Sequence, residues 1–564
     1  MFVLLKAPKG DATMKKFLFF ALLVCTLCSL FCLCAAAETY EGKCGDNITF
    51  KYDPHTLTLT FSGEGELDPF EYTRPDLPPW RTENYSKEIK HVVIEEGITH
   101  IGNIFLAHGD IQSMSIPDSV ISIHQDIFYY GFTDAPIYTQ YGDADYIGNE
   151  QNPYLVLVRI HNNTGTHFEI HPDTKIIHTR VFADSHDLQS LSIPENLKTI
   201  GVGAFSGCEK LTDISLPDGL VRIEESALAS CRSLESVILP DSINYIGDAA
   251  FADCYKLKHI NIPTSLSTLN GYVFDCCIAL ESIHIPANLT EISFHEHDGY
   301  TPFRECGGLE SITADPDNPV YHSDGNCLIE SASGKLIKGC NNSVIPDNGS
   351  VTSIAPGAFL GCDKLKNIVI PQGVTLIGRS AFMDCKALQS VTLPVGLISI
   401  ENSAFRKCSS LKNINIPDGL QIIDDGAFSM CTQLGDITLP ASVTHVGHAA
   451  IFGNEQTVTV LNPTVKLEDT ALYRASRIQG YENSTVHEYA KLHDIEFISL
   501  GAYIPPETAP PQTTVVDTEQ PRSGCSSALS PIMCFAIVLP LTALAAKRQT
   551  YRLRRKTNIS GSRR

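Results

Sequence analysis

Several chemistries are missing from this sequence. It contains no H-E-x-x-H, no G-x-S-x-G and no phosphate-cradling glycine loop. Zinc-protease, serine-hydrolase and P-loop readings therefore have nothing to rest on. Outside the leader there is no C-x-x-C pair, and the 19 histidines are scattered without ligand spacing. His295-Glu296-His297-Asp298 reads as a loop, because alternate residues of an extended chain project to opposite sides. No cofactor or catalytic group is expected. Basic residues are also scarce: 42 Lys and Arg against 64 Asp and Glu give a net charge of −22. That balance argues against nucleic acid as a partner of the main body. Tryptophan occurs once, at Trp80, and reads as a core residue.

What the sequence has is a period. Phe182, Phe205, Leu228, Phe251 and Phe274 are each 23 residues apart, and Cys208, Cys231, Cys254 and Cys277 keep that step. Pro194, Pro217, Pro240, Pro263 and Pro286 do the same. Such regular returns mark a solenoid, mainly β, whose coils close a core only by stacking. Within one coil, Leu211-Thr212-Asp213-Ile214-Ser215-Leu216 alternates as a half-buried strand should. Pro217 lacks an N–H and stops the ladder. Asp218-Gly219 turns the chain, Val221-Arg222-Ile223 starts a second short extended piece, and Ala-Phe packs a ring inward.

The pattern L-x-x-I-x-I-P-x-x-[LV]-x-x-I-x-x-x-A-F-x-x-C is similar to that of the BspA-like leucine-rich repeat family, over roughly residues 43 to 500. It departs from the commonest leucine-rich repeats in placing Pro where they place Asn. The resemblance implies a secreted or surface-exposed repeat protein of adhesion or recognition, with no particular ligand.

The ends read differently from the repeat. Residues 1–37 carry Lys15 and Lys16 before an apolar run and Ala35-Ala36-Ala37, as an export leader does. Met14 offers an alternative start, and retention of the segment as an anchor is the alternative fate. Residues 38–90 are expected to form a β-hairpin cap, with Ile48-Thr49-Phe50 and Leu57-Thr58-Leu59-Thr60-Phe61 alternating. The solenoid then spans 91–500. The 23-residue step breaks twice: near 133–165, where an irregular coil or hairpin on the same stack is expected, and near 313–345, where Asp324-Gly325-Asn326 and Ser333-Gly334-Lys335 supply the turns of a hairpin insert. Asp315 and Asp317 read as turn residues rather than calcium ligands. Residues 486–493 suggest a short amphipathic helix before a last strand. Residues 501–524 are a Pro/Thr-rich stalk, and 525–546 are apolar for long enough to span a bilayer. The basic tail 547–564 is then cytoplasmic, with the solenoid outside, giving a single-pass cell-surface protein. Processing of this tail by a sorting machinery stays open.

Export permits disulfides, but cysteines repeating with the coil should point in parallel into the core, as buried free thiols. The remaining candidates are the residues flanking the middle apolar position of L-x-x-I-x-I, which point outward in columns. They are Ser190, Ser192, Asp213, Ser215, His259, Asn261, Ser282, His284, Asn367, Asn413, Asn415, Asp436 and Thr438. About thirteen coils at ~4.8 Å spacing make this face roughly 60 Å long. It suits an extended extracellular protein or glycan ligand. The other reading is a surface-layer or spacer protein without a specific ligand.

Overall fold

A computed structural model describes residues 39–44, 47–67, 89–102, 111–127, 137–294, 299–452 and 456–503. Met1–Tyr503 forms one compact unit; Ile504–Arg564 is a second, wholly outside the described residues. The expected leader, Trp80, the 295–298 loop, the stalk, the anchor at 525–546 and the basic tail all lie outside them. Among the described residues no helix is long and apolar enough to cross a membrane.

The chain folds as a mostly-β solenoid of about 17 turns, more than the thirteen coils expected. The cap comes first: Ile48–Asp53 and Thr58–Gly63 pair antiparallel, and Tyr40–Lys43 adds a further antiparallel strand. Thr58–Gly63 then pairs parallel with His91–Ile94, which starts the stack. At the other end Ser484 caps the helix Thr485–Leu492, which buries Val486, Tyr489 and Ala490. The final strand Glu496–Ala502 runs parallel to Arg477–Glu482.

Most regular coils lay down two short strands separated by the Pro turn. The second is the more continuous. Ile176–Ile177, Thr199–Ile200, Arg222–Ile223 and Tyr245–Ile246 pair in an unbroken parallel run. Ser353–Ile354, Leu376–Ile377, Ser399–Ile400, Ile422–Ile423, His445–Val446 and Lys466–Leu467 form another. The first row, which the alternation marked as the main strand, is broken into shorter sheets. Its strands run into prolines such as Pro217 and Pro240, which supply no N–H to the ladder.

Between coils the ring stack holds the core. Phe359, Phe382, Phe405 and Phe428 stack face to face at 4.8, 5.1 and 5.4 Å. The cysteines sit beside them, and the thirteen described are free; all but half-buried Cys276 are buried. Their thiols have a specific task. Cys208 Sγ donates to the Phe182 carbonyl of the preceding coil at 3.2 Å, and Cys254 to that of Leu228 at 3.3 Å. Cys385 does the same to Phe359 at 3.2 Å. The turn that brings Phe and Cys together needs left-handed backbone two residues either side of the ring. Gly203 and Gly207 supply it in one coil, Ser226 and Ser230 in the next.

Two inserts divide the interior into three cores, and they do it by strand alternation. In Ala144–Ile147 and the strand Val156–Ile160, Ala144, Tyr146 and Leu157 face the middle core, while Ile147 and Val156 face the N-terminal one. In Cys327–Glu330 and Lys335–Lys338, Leu328 and Ile337 face the middle core, while Cys327, Ile329 and Leu336 face the C-terminal one. Both inserts are antiparallel strand sets built on hairpins, as the turn residues of the second suggested; of the two readings of the first, the hairpin is the one found. A strand buried on both faces needs apolar residues at consecutive positions, which is what Leu155-Val156-Leu157 and Leu336-Ile337 provide.

Candidate binding face

The first strand row carries the candidate residues because its alternation leaves every second side chain outside. All thirteen are exposed: Ser190, Ser192, Asp213, Ser215, His259, Asn261, Ser282, His284, Asn367, Asn413, Asn415, Asp436 and Thr438. In-register parallel pairing makes columns of them. Asn367 lies beside Ser390 and Ser390 beside Asn413. Ser236 lies beside His259, and His284 beside Thr313.

Several of these groups are already engaged with neighbouring coils. Ser390 Oγ donates to Asn367 Oδ1 at 2.7 Å, and His284 Nδ1 lies 2.9 Å from Thr313 Oγ1. His167 Nδ1 and Ser190 Oγ are 3.0 Å apart. Asp436 Oδ1 accepts the Thr457 N–H at 2.8 Å. Asn261 is the most committed. Its carboxamide accepts the Leu239 N–H at 2.7 Å and donates to the Leu239 carbonyl at 2.8 Å, standing in for a strand pair next to Pro240. Asn261 closes the ladder; it is a structural residue of this row more than a free recognition group.

The rest of the row stays open. Ser192, Ser215, Asn415 and Thr438 present side chains with no hydrogen-bond partner among the described residues. Lysine and arginine are absent from these outward positions, and Asp213 and Asp436 are the acids. Two apolar side chains also stand out of it, Ile238 at 80% and Val369 at 62% exposure. Their outward position follows from the repeat register, but burial alone decides that they lack a cover.

The structure shows further features that the motif pattern did not single out. On the second row, Arg222 lies over the Tyr245 ring at 4.0 Å and pairs with Glu224 at 2.8 Å. At the second insert a cleft of about 760 Å³ opens beside Gly307 and Gly361, rimmed by Glu281, Glu310, Lys258 and Lys364. A periodic signal existed for the first, since the residue before the second-row isoleucine recurs every coil. The cleft joins coils on either side of the insert, so no local pattern encodes it. Asp315 Oδ1 accepts the Asp317 N–H at 2.9 Å and so closes its own turn. Among the described residues no cluster of three or more His, Cys, Asp or Glu could hold a metal ion. Burial pushes the ladder thiols up, Cys254 to about 12, which keeps them protonated.

The family described as the BspA type leucine-rich repeat region matches the chain in six copies, over residues 83–133, 175–306 and 337–475. Among solved structures, the chain is similar to a leucine-rich cell surface protein from Faecalibacterium prausnitzii A2-165. They are 27% identical, with 58% of this chain and 96% of that one covered and a TM-score of 0.49. It is also similar to a leucine-rich repeat protein from Bacteroides ovatus ATCC 8483, at 20% identity, 81% and 99% coverage and a TM-score of 0.41. A third is the pneumococcal vaccine antigen PcpA, at 15% identity, 82% and 99% coverage and a TM-score of 0.47. No curated protein matches the chain.

Proposed function

The chain belongs to the BspA-type leucine-rich repeat family, and from that membership we propose that it is a cell-surface adhesion or recognition protein. In this reading the first strand row holds an extracellular protein or glycan, and binding without catalysis is its work. The leader at 1–37 exports the chain, and 525–546 anchors it once through the membrane. The observation that carries the reading is the row itself. Thirteen outward side chains spread over seven coils are exposed, most of them small hydrogen-bonding groups without lysine or arginine. An extended ligand can lie across many such coils and gather contacts additively.

A second reading is a structural surface-layer or spacer protein. The interlocking of Asn367 with Ser390 and of His284 with Thr313 favours it, because those groups serve coil-to-coil cohesion.

The test is saturable binding of the purified chain to a panel of extracellular-matrix proteins, glycans and whole cells. The variant to compare carries Asn413→Lys and Asn415→Lys, with Asn261 left intact because it closes the ladder. Binding lost in the variant supports recognition through this row. No binding on the panel, with both proteins monomeric and folded, sinks recognition on it and leaves the spacer.

A further inference from the structure

The first strand row is broken in several places, and at one of them a whole coil drops out of the ladder. Its ladder runs through Ser190–Ser192, paired with His167–Glu169, and resumes at Ser236–Val237, paired with His259–Ile260. The coil between them forms no strand at residues 213–216. Thr212 N–H still reaches the Gln189 carbonyl, at 3.4 Å. Beyond it, the N–H and C=O groups of 213–216 have no hydrogen-bond partner among the described residues. The opening is a cleft of about 360 Å³ lined by Asp213, Ser215, Leu216, Asp218 and Ser236. Ile238 stands on its rim, 80% exposed, the highest value among the exposed large apolar side chains described.

We propose that this notch docks an extended, cationic segment of a partner protein. The proposal rests on the strand-row reading above and names the chemistry of its ligand. The hydroxyls of Ser215 and Ser236, both exposed on the cleft, can hydrogen-bond the backbone of an extended peptide laid across the coils. An exposed isoleucine beside a half-buried leucine offers an apolar side chain a place to leave water. The charge decides the sign of the partner. Asp213 and Asp218 are both exposed and make no ion pair among the described residues. No lysine or arginine lines the cleft. A lysine or arginine of the partner, placed next to an apolar residue, meets both requirements at once. A glycan would use the serines but leave Ile238 uncovered.

The experiment uses the full chain and two fluorescein-labelled ten-residue peptides, one alternating lysine with valine and one alternating glutamate with valine. Anisotropy is read at low and high salt. The lysine peptide is expected to bind with a Kd on the order of micromolar to tens of micromolar, weakening as salt rises. Asp213→Asn and Ile238→Ser are each expected to weaken it about tenfold or more, with unchanged circular dichroism. Val369→Ser, on a distant coil of the same row, is expected to leave it unchanged. Equal binding of the glutamate peptide overturns the cationic occupant. Binding weakened by Val369→Ser and untouched at Asp213 and Ile238 overturns the notch while keeping the row. No peptide binding overturns the proposal. The matrix, glycan and cell panel then judges the row on its own, so the two failures are distinct.

Discussion

Leu336 and Ile337 are neighbours in one strand and pack into different cores. Leu336 joins the C-terminal core with Phe359, and Ile337 joins the middle core with Phe303. The insert is thus a wall between two blocks of coils. Truncating Leu336→Ala or Ile337→Ala should each cost about 2–5 kcal/mol, from lost transfer energy and the cavity left behind. Hydrogen exchange should show the loss spreading mainly into coils after the insert for Leu336→Ala and into coils before it for Ile337→Ala. Identical exchange maps for the two variants would show that the blocks melt as one.

The thiol ladder should be chemically silent in the native state. Burial pushes the thiols of Cys208, Cys254 and Cys431 up to about 12, so almost no thiolate exists near pH 8. Iodoacetamide followed by peptide mass spectrometry should leave these three unmodified until denaturant is added. Rapid native labelling of Cys254 would refute the buried ladder.

Acid should loosen the junction at His178. This imidazole is buried, and its Nε2 lies 3.3 Å from the His124 carbonyl. Burial, aided by the charge of His124 and opposed by that hydrogen bond, holds it down from 6.5 to about 4. A histidine lowered on folding binds its proton more readily when unfolded. Its contribution is therefore complete above pH 6.5 and is lost as pH falls from there through about 4. The loss is of order 3 kcal/mol. Denaturant midpoints at pH 7 and pH 4 should differ less for His178→Gln than for the parent chain. Equal pH dependence in both would place acid sensitivity elsewhere.

Backbone handedness gives a test on the surface of a coil. Ser230 occupies the left-handed slot that Gly207 takes one coil earlier, at φ 60° and 77°. A β-branched residue there is strained, so Ser230→Val should cost about 1–2 kcal/mol despite partial exposure. Ser233→Val, three residues on and without positive φ, should be near neutral. The melting temperatures of the two variants decide it.

The 23-residue step of Phe, Cys and Pro made the solenoid legible, because each coil repeats the same burial problem and answers it with the same residues. The outward position of the thirteen row residues was legible for the same reason: alternation about a buried isoleucine depends only on the strand. The two inserts announced themselves as breaks in the step, the second with turn residues inside it.

Tertiary structure decided the rest. The sequence by itself determined what one coil looks like and which side chains it turns outward. It did not determine which strand row stays continuous, that Leu336 and Ile337 divide two cores, that Asn261 is consumed by Leu239, or that residues 213–216 are left unpaired. Those depend on how adjacent coils meet. A ladder bond needs donor and acceptor within about 3 Å across two coils. That distance is set by stacking of the whole array, and the repeat pattern of any single coil leaves it undetermined.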